Sequence, residues 1–362
     1  MRKLLNRKFQ TLGLLLVFFS SVIFAGENPQ HEDEKFNPGK VIFEHIGDNH
    51  DWHLWDVTDE NGQKHAVSFP LPVILINPNN FAIDIFLSSE FHHGHSPVTK
   101  GDVTYFMHHQ KIYYTNLEGV LEKDAQGNIS NKKPIDISIT KNISSMLFIA
   151  IILLIVFLSV AKAYKKRPDE APKGLQSFFE PIIVFIKDEI AIPNIGHKYA
   201  KYLPYLLTVF FFIWFNNLLG IIPFFPGSAN ITGNIAVTLV LAVFTFLIVN
   251  LTANKNYWKH IFAMPGLPKA LLIIMIPVEI IGLFTKPFAL MIRLFANITA
   301  GHILILSLVS LIFIFQTEWL ALGSMPLVLF IYVLELLVAI LQAYIFTMLS
   351  ALFIGLAVQE HH

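Results

Sequence analysis

Residues 289–305 read ALMIRLFANITAGHILI, and Arg293 stands among thirteen positions that are apolar or glycine. A guanidinium stays protonated at any physiological pH. At the centre of a bilayer a charged side chain costs ~2.5–3.5 kcal/mol on insertion scales. No acid lies three or four positions from Arg293, so its counter-ion has to come from another segment or another protein.

The surroundings of this stretch are those of a membrane protein. The chain has 362 residues, 54% of them hydrophobic and 14% charged, with a mean hydropathy of +0.56. A water-soluble domain rarely has this balance. The formal net charge is zero, so no bulk basic field points to nucleic acid. With no cysteine, disulfides and thiolate metal sites are excluded.

Apolar segments continue on both sides of Arg293. SSMLFIAIILLIVFLSVA (144–161), PYLLTVFFFIWFNNLLGIIPFF (204–225) and IAVTLVLAVFTFLIVNL (235–251) each suit one crossing, and two longer segments run over 269–315 and 326–358. GLQSFFEPIIVFIKDEI (174–190) mixes charge with apolar residues and contains Pro181, so it reads as an interfacial amphipathic helix. The loops 162–173, 192–203 and 252–269 carry Lys or Arg; 226–234 and 316–325 carry none. By the positive-inside rule the first set is cytoplasmic. The expected fold class is therefore an all-α polytopic membrane protein with five transmembrane helices plus the interfacial helix. Its amino-terminal part lies outside and its carboxyl terminus in the cytoplasm.

The last two segments are too long for an upright crossing. As single helices they would measure ~70 and ~50 Å against a hydrocarbon core of ~30 Å. Neither contains a polar loop, so we expect long, strongly tilted helices, with Pro277, Gly282 and Pro287 allowing kinks. Glu279, Lys286 and Arg293 are spaced by seven and share one stripe. Asn297 lies one turn beyond Arg293, whereas His302 points about half a turn away. Glu335 and Gln342 are also seven apart. Lys286 suits snorkelling or an ion pair with Glu279 as well as a functional role. His302 and Glu335 both titrate. Two titratable groups, a fixed cation and the amides of Asn297 and Gln342 describe a proton path with a barrier in it.

The amino-terminal third differs. MRKLLNRKFQTLGLLLVFFSSVIFAGE opens with four basic residues, an apolar run and a small-residue pair, so residues 1–25 are expected to be a signal peptide. Residues 26–138 are polar with strand-like runs (KVIFEHI, HLWDV, HAVSF, FAIDIFL, VTYFMHH, IYYT) and a hairpin turn at Asp59-Glu60-Asn61-Gly62. We expect a small β-rich extracytoplasmic domain there, with the membrane domain over 139–362. Ten of the fifteen histidines lie in it, among them His92, His93, His95, His108 and His109. Without a carboxylate or second ligand pair at a diagnostic spacing they read as a solvated cluster rather than a metal site.

RLFANITAGH around Arg293, with LQAYIFTMLS around Gln342, resembles subunit a of the F-type ATP synthase. FNNLLGIIP (215–223) and AVTLVLAV (236–243) extend the similarity, which covers residues 135 to 362 and leaves the β-rich part outside. The resemblance implies a bacterial inner-membrane subunit on the stator side, without cofactor or catalytic residue. Its partners would be a ring of c subunits, b-type peripheral stalk subunits, the rest of the synthase and the lipid bilayer. Arg293 would face a membrane carboxylate on each passing c subunit and separate two aqueous half-channels. Asn297 and Gln342 would orient it or line the path. His302 and Glu335 match the family's channel pair, with acid and imidazole exchanged relative to a common bacterial pattern. Glu279 matches an acid expected in the inlet channel on the outer side. Asn234 falls near a polar channel mouth. No G-x-x-x-x-G-K-[ST] occurs, so nucleotide chemistry belongs to other chains.

Two other readings compete. An ion-coupled secondary transporter would use similar charges, but it ordinarily shows repeated halves with paired broken helices, and no repeat is evident. A histidine-rich binding module on a membrane anchor would not need Arg293, Glu335 and His302 inside the apolar segments.

Overall fold

A computed structural model describes residues 38–39, 47–58, 64–78, 81–94, 96–124, 129–167, 170–222, 227, 229–263, 268–315 and 317–358. The expected signal peptide, the KVIFEHI segment and the Asp59–Gly62 turn lie outside the described residues.

The described part before residue 140 holds eight strands. β1 (Asp51–Thr58) pairs with β2 (Lys64–Pro70). β3 (Pro72–Ile76) lies between β4 (Ile83–Leu87) and β8 (Ile135–Asp136), and β6 (Val103–His108) lies between β5 (Val98–Lys100) and β7 (Lys111–Thr115). The β-rich expectation holds, and five of the strand-like runs fall in β1, β2, β4, β6 and β7. Residues 53–69 cluster as one compact unit, and residues 38–52 with 70–362 as another.

Alternation builds the small core of the second unit. Val73, Leu75 and Phe86 are buried with Phe91, Val98, Tyr105, Met107 and Ile112. The Tyr105 hydroxyl donates to Asp84 Oδ2 at 2.6 Å. Register sets Ile76 between Ile83 and Ile135, and Ile74 opposite Ile85. His108 and His109 pack edge to face, 4.2 Å between centroids, and no group of three metal-ligating side chains occurs among the described residues.

From residue 141 the chain is helical: α1 (Lys141–Lys166), α2 (Leu175–Phe185), α3 (Ile192–Ile195), α4 (Tyr199–Ile221), α5 (Ile235–Leu251), α6 (Lys255–Phe262), α7 (Lys269–Phe315) and α8 (Glu318–Val358). Among the described residues four stretches are long and apolar enough to cross a membrane: α1, residues 175–221, and the long helices α7 and α8. The α5–α6 pair, bent by 100°, would supply a fifth.

One expectation is corrected here. Residues 192–203, read as a loop, are helical: a π-helical turn (Ile186–Ala191) joins α2 to α3, and a 3-10 turn (Gly196–Lys198) joins α3 to α4. Gly196, at φ +73°, takes the left-handed backbone the junction needs. Gly355 of α8 lets the backbone approach, since a β-carbon there would collide with the Asn194 carbonyl.

The two long segments are continuous helices of 47 and 41 residues, uninterrupted at Pro277, Pro287 and Pro326. α8 packs chiefly on α4 and α7, α7 on α5, and α1 on α4. The packed stripe of α8 is small and recurs at helical spacing: Ala339, Ala343, Thr347, Ser350 and Ala351 have no exposed surface. Small residues permit the close approach on which helix association in lipid depends. Hydroxyls add lateral ties, from Tyr205 to Thr245 at 2.7 Å and from Thr245 to Ser350 at 3.5 Å.

Candidate functional site

α7 has two chemically different faces at the level of the opening stretch. Leu290, Met291, Leu294, Ile298 and Ile305 are buried, whereas Arg293 and Asn297, one turn apart, are exposed. Among the described residues Arg293 makes no ion pair. The guanidinium is thus presented outward from an apolar helix, with its counter-charge not supplied by the described chain.

His302 lies on the packed side, as its offset from Arg293 requires, and two glycines make room there. A β-carbon on Gly220 of α4 would touch His302 Nε2 at 4.0 Å. A β-carbon on Gly301, the residue before His302, would collide with the carboxylate of Glu335. Glu335 is 8% exposed, and its Oε2 has no hydrogen-bond partner among the described residues. Gln342, two turns along α8, is buried on the same stripe. His302 of α7 thus faces α4 at Gly220, and Glu335 of α8 faces α7 at Gly301.

Polar residues from α4 and the following loop lead to this point. Asn217 precedes Gly220 by three residues and so shares its face. Its Nδ2 donates to the Ala339 carbonyl at 3.3 Å, and its Oδ1 accepts from the Thr232 hydroxyl. Asn216, Asn230 and Thr232 are buried beside it, with Asn216 Oδ1 unpartnered among the described residues. Their signal was readable as two adjacent amides inside an apolar run, which are costly in lipid. Asn234 Oδ1 accepts from the Ala236 N–H at 3.0 Å and caps α5.

Glu279 belongs to the other end. It lies fourteen residues before Arg293, ~21 Å along the helix, within electrostatic reach of Tyr257 in α6. His302 lies ~13 Å beyond Arg293 in the opposite direction. Glu279 is therefore on the opposite side of Arg293 from His302 along α7, toward the part of α7 on which α6 packs. It does not pair with Lys286, whose Nζ lies over the Phe353 ring, 5.7 Å from its centroid. Lys286, Tyr257, Thr245 and Asn250 line a pocket between α5, α6, α7 and α8. The arrangement is two separate polar regions with Arg293 between them along α7.

Residues 143–355 match the family model of the ATP synthase A chain, and residues 41–137 match a domain of unknown function, DUF8433. The chain is 56% identical to the ATP synthase subunit a 2 of Chlorobaculum tepidum over 230 residues, 61% of this chain and 64% of that protein. It is 51% identical to the ATP synthase subunit a of Chloroherpeton thalassium, covering 63% and 69% of the two chains. Against the ATP synthase subunit a of Chlorobium phaeobacteroides it is 48% identical over 282 residues, 74% and 79% of the two chains. That last share exceeds what residues 139–362 make up, so the similarity there reaches into the amino-terminal part. The chain spans just under two thirds of the Chlorobaculum protein. By the extent of the family match, the chain belongs to the ATP synthase A chain family.

Proposed function

We propose that this chain is the stator-side proton-channel subunit of a bacterial F-type ATP synthase, with five crossings and no catalytic chemistry of its own. The observation that carries the reading is Arg293: an exposed guanidinium at the middle of a 47-residue apolar helix, unpaired among the described residues. Its counter-ion is then the carboxylate carried by each subunit of a facing c ring, held while deprotonated by a charge-assisted attraction. Asn297, exposed on the same face, and Gln342, buried on α8, orient the arginine or line the path.

The outer half-channel runs along Asn216, Asn217 and Thr232 to His302 and Glu335. The unpartnered polar atoms there are groups that take up water, and an imidazole with a carboxylate suits proton hopping rather than sodium, which wants an oxygen cage. The inner half-channel is the pocket of Lys286, Tyr257 and Asn250 with Glu279 at its margin. Arg293 interrupts any continuous path, so each proton must board the ring on one side and leave from the other. One elementary charge falling through 100 mV yields ~2.3 kcal/mol, so several protons are coupled to each ATP made by other subunits. The β-rich part faces the outside, and b-type stalk subunits hold the assembly in the inner membrane. The long helices α7 and α8 lie strongly tilted beside the curved ring, and α2 rests in the cytoplasmic interface.

The test is proton uptake into sealed vesicles holding the assembled complex. With Arg293→Ala, ATP-driven pumping is expected to vanish while assembly persists, and passive leak after an imposed gradient is expected to rise. Surviving pumping would make Arg293 structural and return the transporter reading to consideration.

A further inference from the structure

We propose that the sheet β4–β3–β8 rests its outer face on the lipid interface of the bilayer, beside the point where α1 enters the membrane. A small antiparallel sheet ordinarily has one apolar face on its core and one polar face in water. Here both are apolar. On the side away from the core, Ile83, Ile85, Leu87, Ile135 and Ile137 are 47 to 67% exposed. Register gathers them into rows, Ile83 and Ile135 flanking Ile76, and Ile85 beside Ile74, whose carbonyl accepts from the Ile137 N–H at 3.0 Å. The aspartates of these strands, Asp84 and Asp136, fall on the opposite face by alternation and leave the rows without a charge.

At the end of the β3–β4 hairpin Phe81 is 76% exposed and held at φ +54°, a backbone that is unfavourable for a bulky residue. Its N–H donates to the Asn77 carbonyl at 2.8 Å. Burying such surface gains ~25 cal/mol per Å², and contiguous apolar patches of this kind mark interaction sites.

The chain itself identifies the occupant. The β8 ladder continues to Ile139, whose N–H donates to the Pro72 carbonyl at 3.0 Å, and Lys141 then opens α1. The four residues between β8 and α1 reach at most ~14 Å. Lys141 and Asn142 are buried, while Ile143 and Leu147 beyond them are exposed. The exposed apolar surface thus continues along the chain from the sheet into the span with no exposed charge between. A bilayer is the partner already present at that point. The inference rests on α1 crossing a membrane.

The chain has no cysteine, so single-cysteine variants can be labelled cleanly. The full chain carrying Ile85→Cys, Ile137→Cys or Phe81→Cys is labelled with an environment-sensitive fluorophore. It is then reconstituted in phosphatidylcholine–phosphatidylglycerol vesicles containing spin-labelled lipid. Leu154→Cys in α1 reports the span, and Glu118→Cys reports exposed loop. Labels at 81, 85 and 137 are expected to be quenched by shallow lipid quenchers, far more than at 118, and protected from aqueous iodide. Iodide quenching equal to that at 118 would overturn the inference. So would shielding from both quenchers, which would mean that a protein or a second copy covers the face. If Leu154→Cys also escapes the lipid quencher, the membrane reading fails; if it alone is quenched, only this inference does.

Discussion

The carboxylate of Glu335 occupies the space that a β-carbon on Gly301 would need. Glycine at 301 is therefore a condition for the acid to lie against α7 at the position just before His302. Gly301→Ala is expected to push Glu335 aside without unfolding α7, because alanine favours helix over glycine. Proton transfer needs partners within hydrogen-bond reach, so ATP-driven proton uptake should fall on the order of tenfold or more. Gly282→Ala is the control: a β-carbon there meets nothing within 4 Å, and pumping should match the unmodified complex.

The exchange of acid and imidazole can be tested directly. Glu335→Gln and His302→Leu should each lower proton flux on the order of a hundredfold, the range lost with a general acid–base group. The double variant His302→Glu with Glu335→His restores one acid and one imidazole and should recover much of the flux, with a displaced pH profile. Passive flux through complexes stripped of their catalytic headpiece reads this without interference from ATP chemistry. A double variant no better than the single ones would mean that the two positions are not interchangeable ends of one relay.

Arg293, Asn297, His302, Glu335 and Gln342 were legible in the sequence because a polar group inside an apolar run stands out, and helical spacing separates its faces. Arg293 and Asn297 are exposed, whereas His302 is partly buried and Glu335 buried. Gly220 and Gly301 were not legible, since a glycine's value depends on what the facing helix puts opposite it. Asn216 and Asn217 were in view but their direction was not, because that is set by packing against α8. Residues 192–203 were misread because Pro193, Gly196, Lys198 and Lys201 look like loop punctuation. Packing of Asn194 on Gly355 overrides those local signals.

The carboxyl end of α8 is held by a clamp that the sequence does not announce. The Asn254 N–H donates to the Ala357 carbonyl at 2.8 Å and its Nδ2 to the Val358 carbonyl at 2.6 Å; Lys198 Nζ reaches Val358 at 3.4 Å. Last-turn carbonyls have no partner within their own helix, so Asn254 ties α8 to the turn between α5 and α6, and Lys198 ties it to the turn before α4. Asn254→Ala should cost about 1 kcal/mol locally. Faster amide hydrogen exchange over residues 350–358 is expected, with exchange near Glu335 unchanged. Unaltered exchange at the helix end would show that the clamp does not hold it.

The last prediction concerns acid. Asp136 ends β8 close to α1, and the buried His50 ring donates from Nε2 to its Oδ2 at 2.9 Å. Burial by itself pushes the Asp136 carboxyl up, but hydrogen bonds from His50 and from the side chain and backbone of Ser138 outweigh it and hold it below its ordinary value of 3.8. A carboxylate depressed in the folded state adds stability that is full above its unfolded value and is lost as pH falls through the folded one. Junction residues 135–140 should therefore keep their exchange protection down to about pH 4 and lose it below. Nearby, Asp48 Oδ1 accepts from the Asn142 N–H at 3.0 Å and Oδ2 from the Thr140 hydroxyl at 2.8 Å. Asp136→Asn should remove part of the acid dependence and lower protection at pH 7, and Asp48→Asn should weaken the start of α1 instead. Hydrogen exchange of the full chain against pH, with the two variants in parallel, separates them. An Asp136→Asn profile that overlays the unmodified one would show that the His50 bond contributes nothing to the junction.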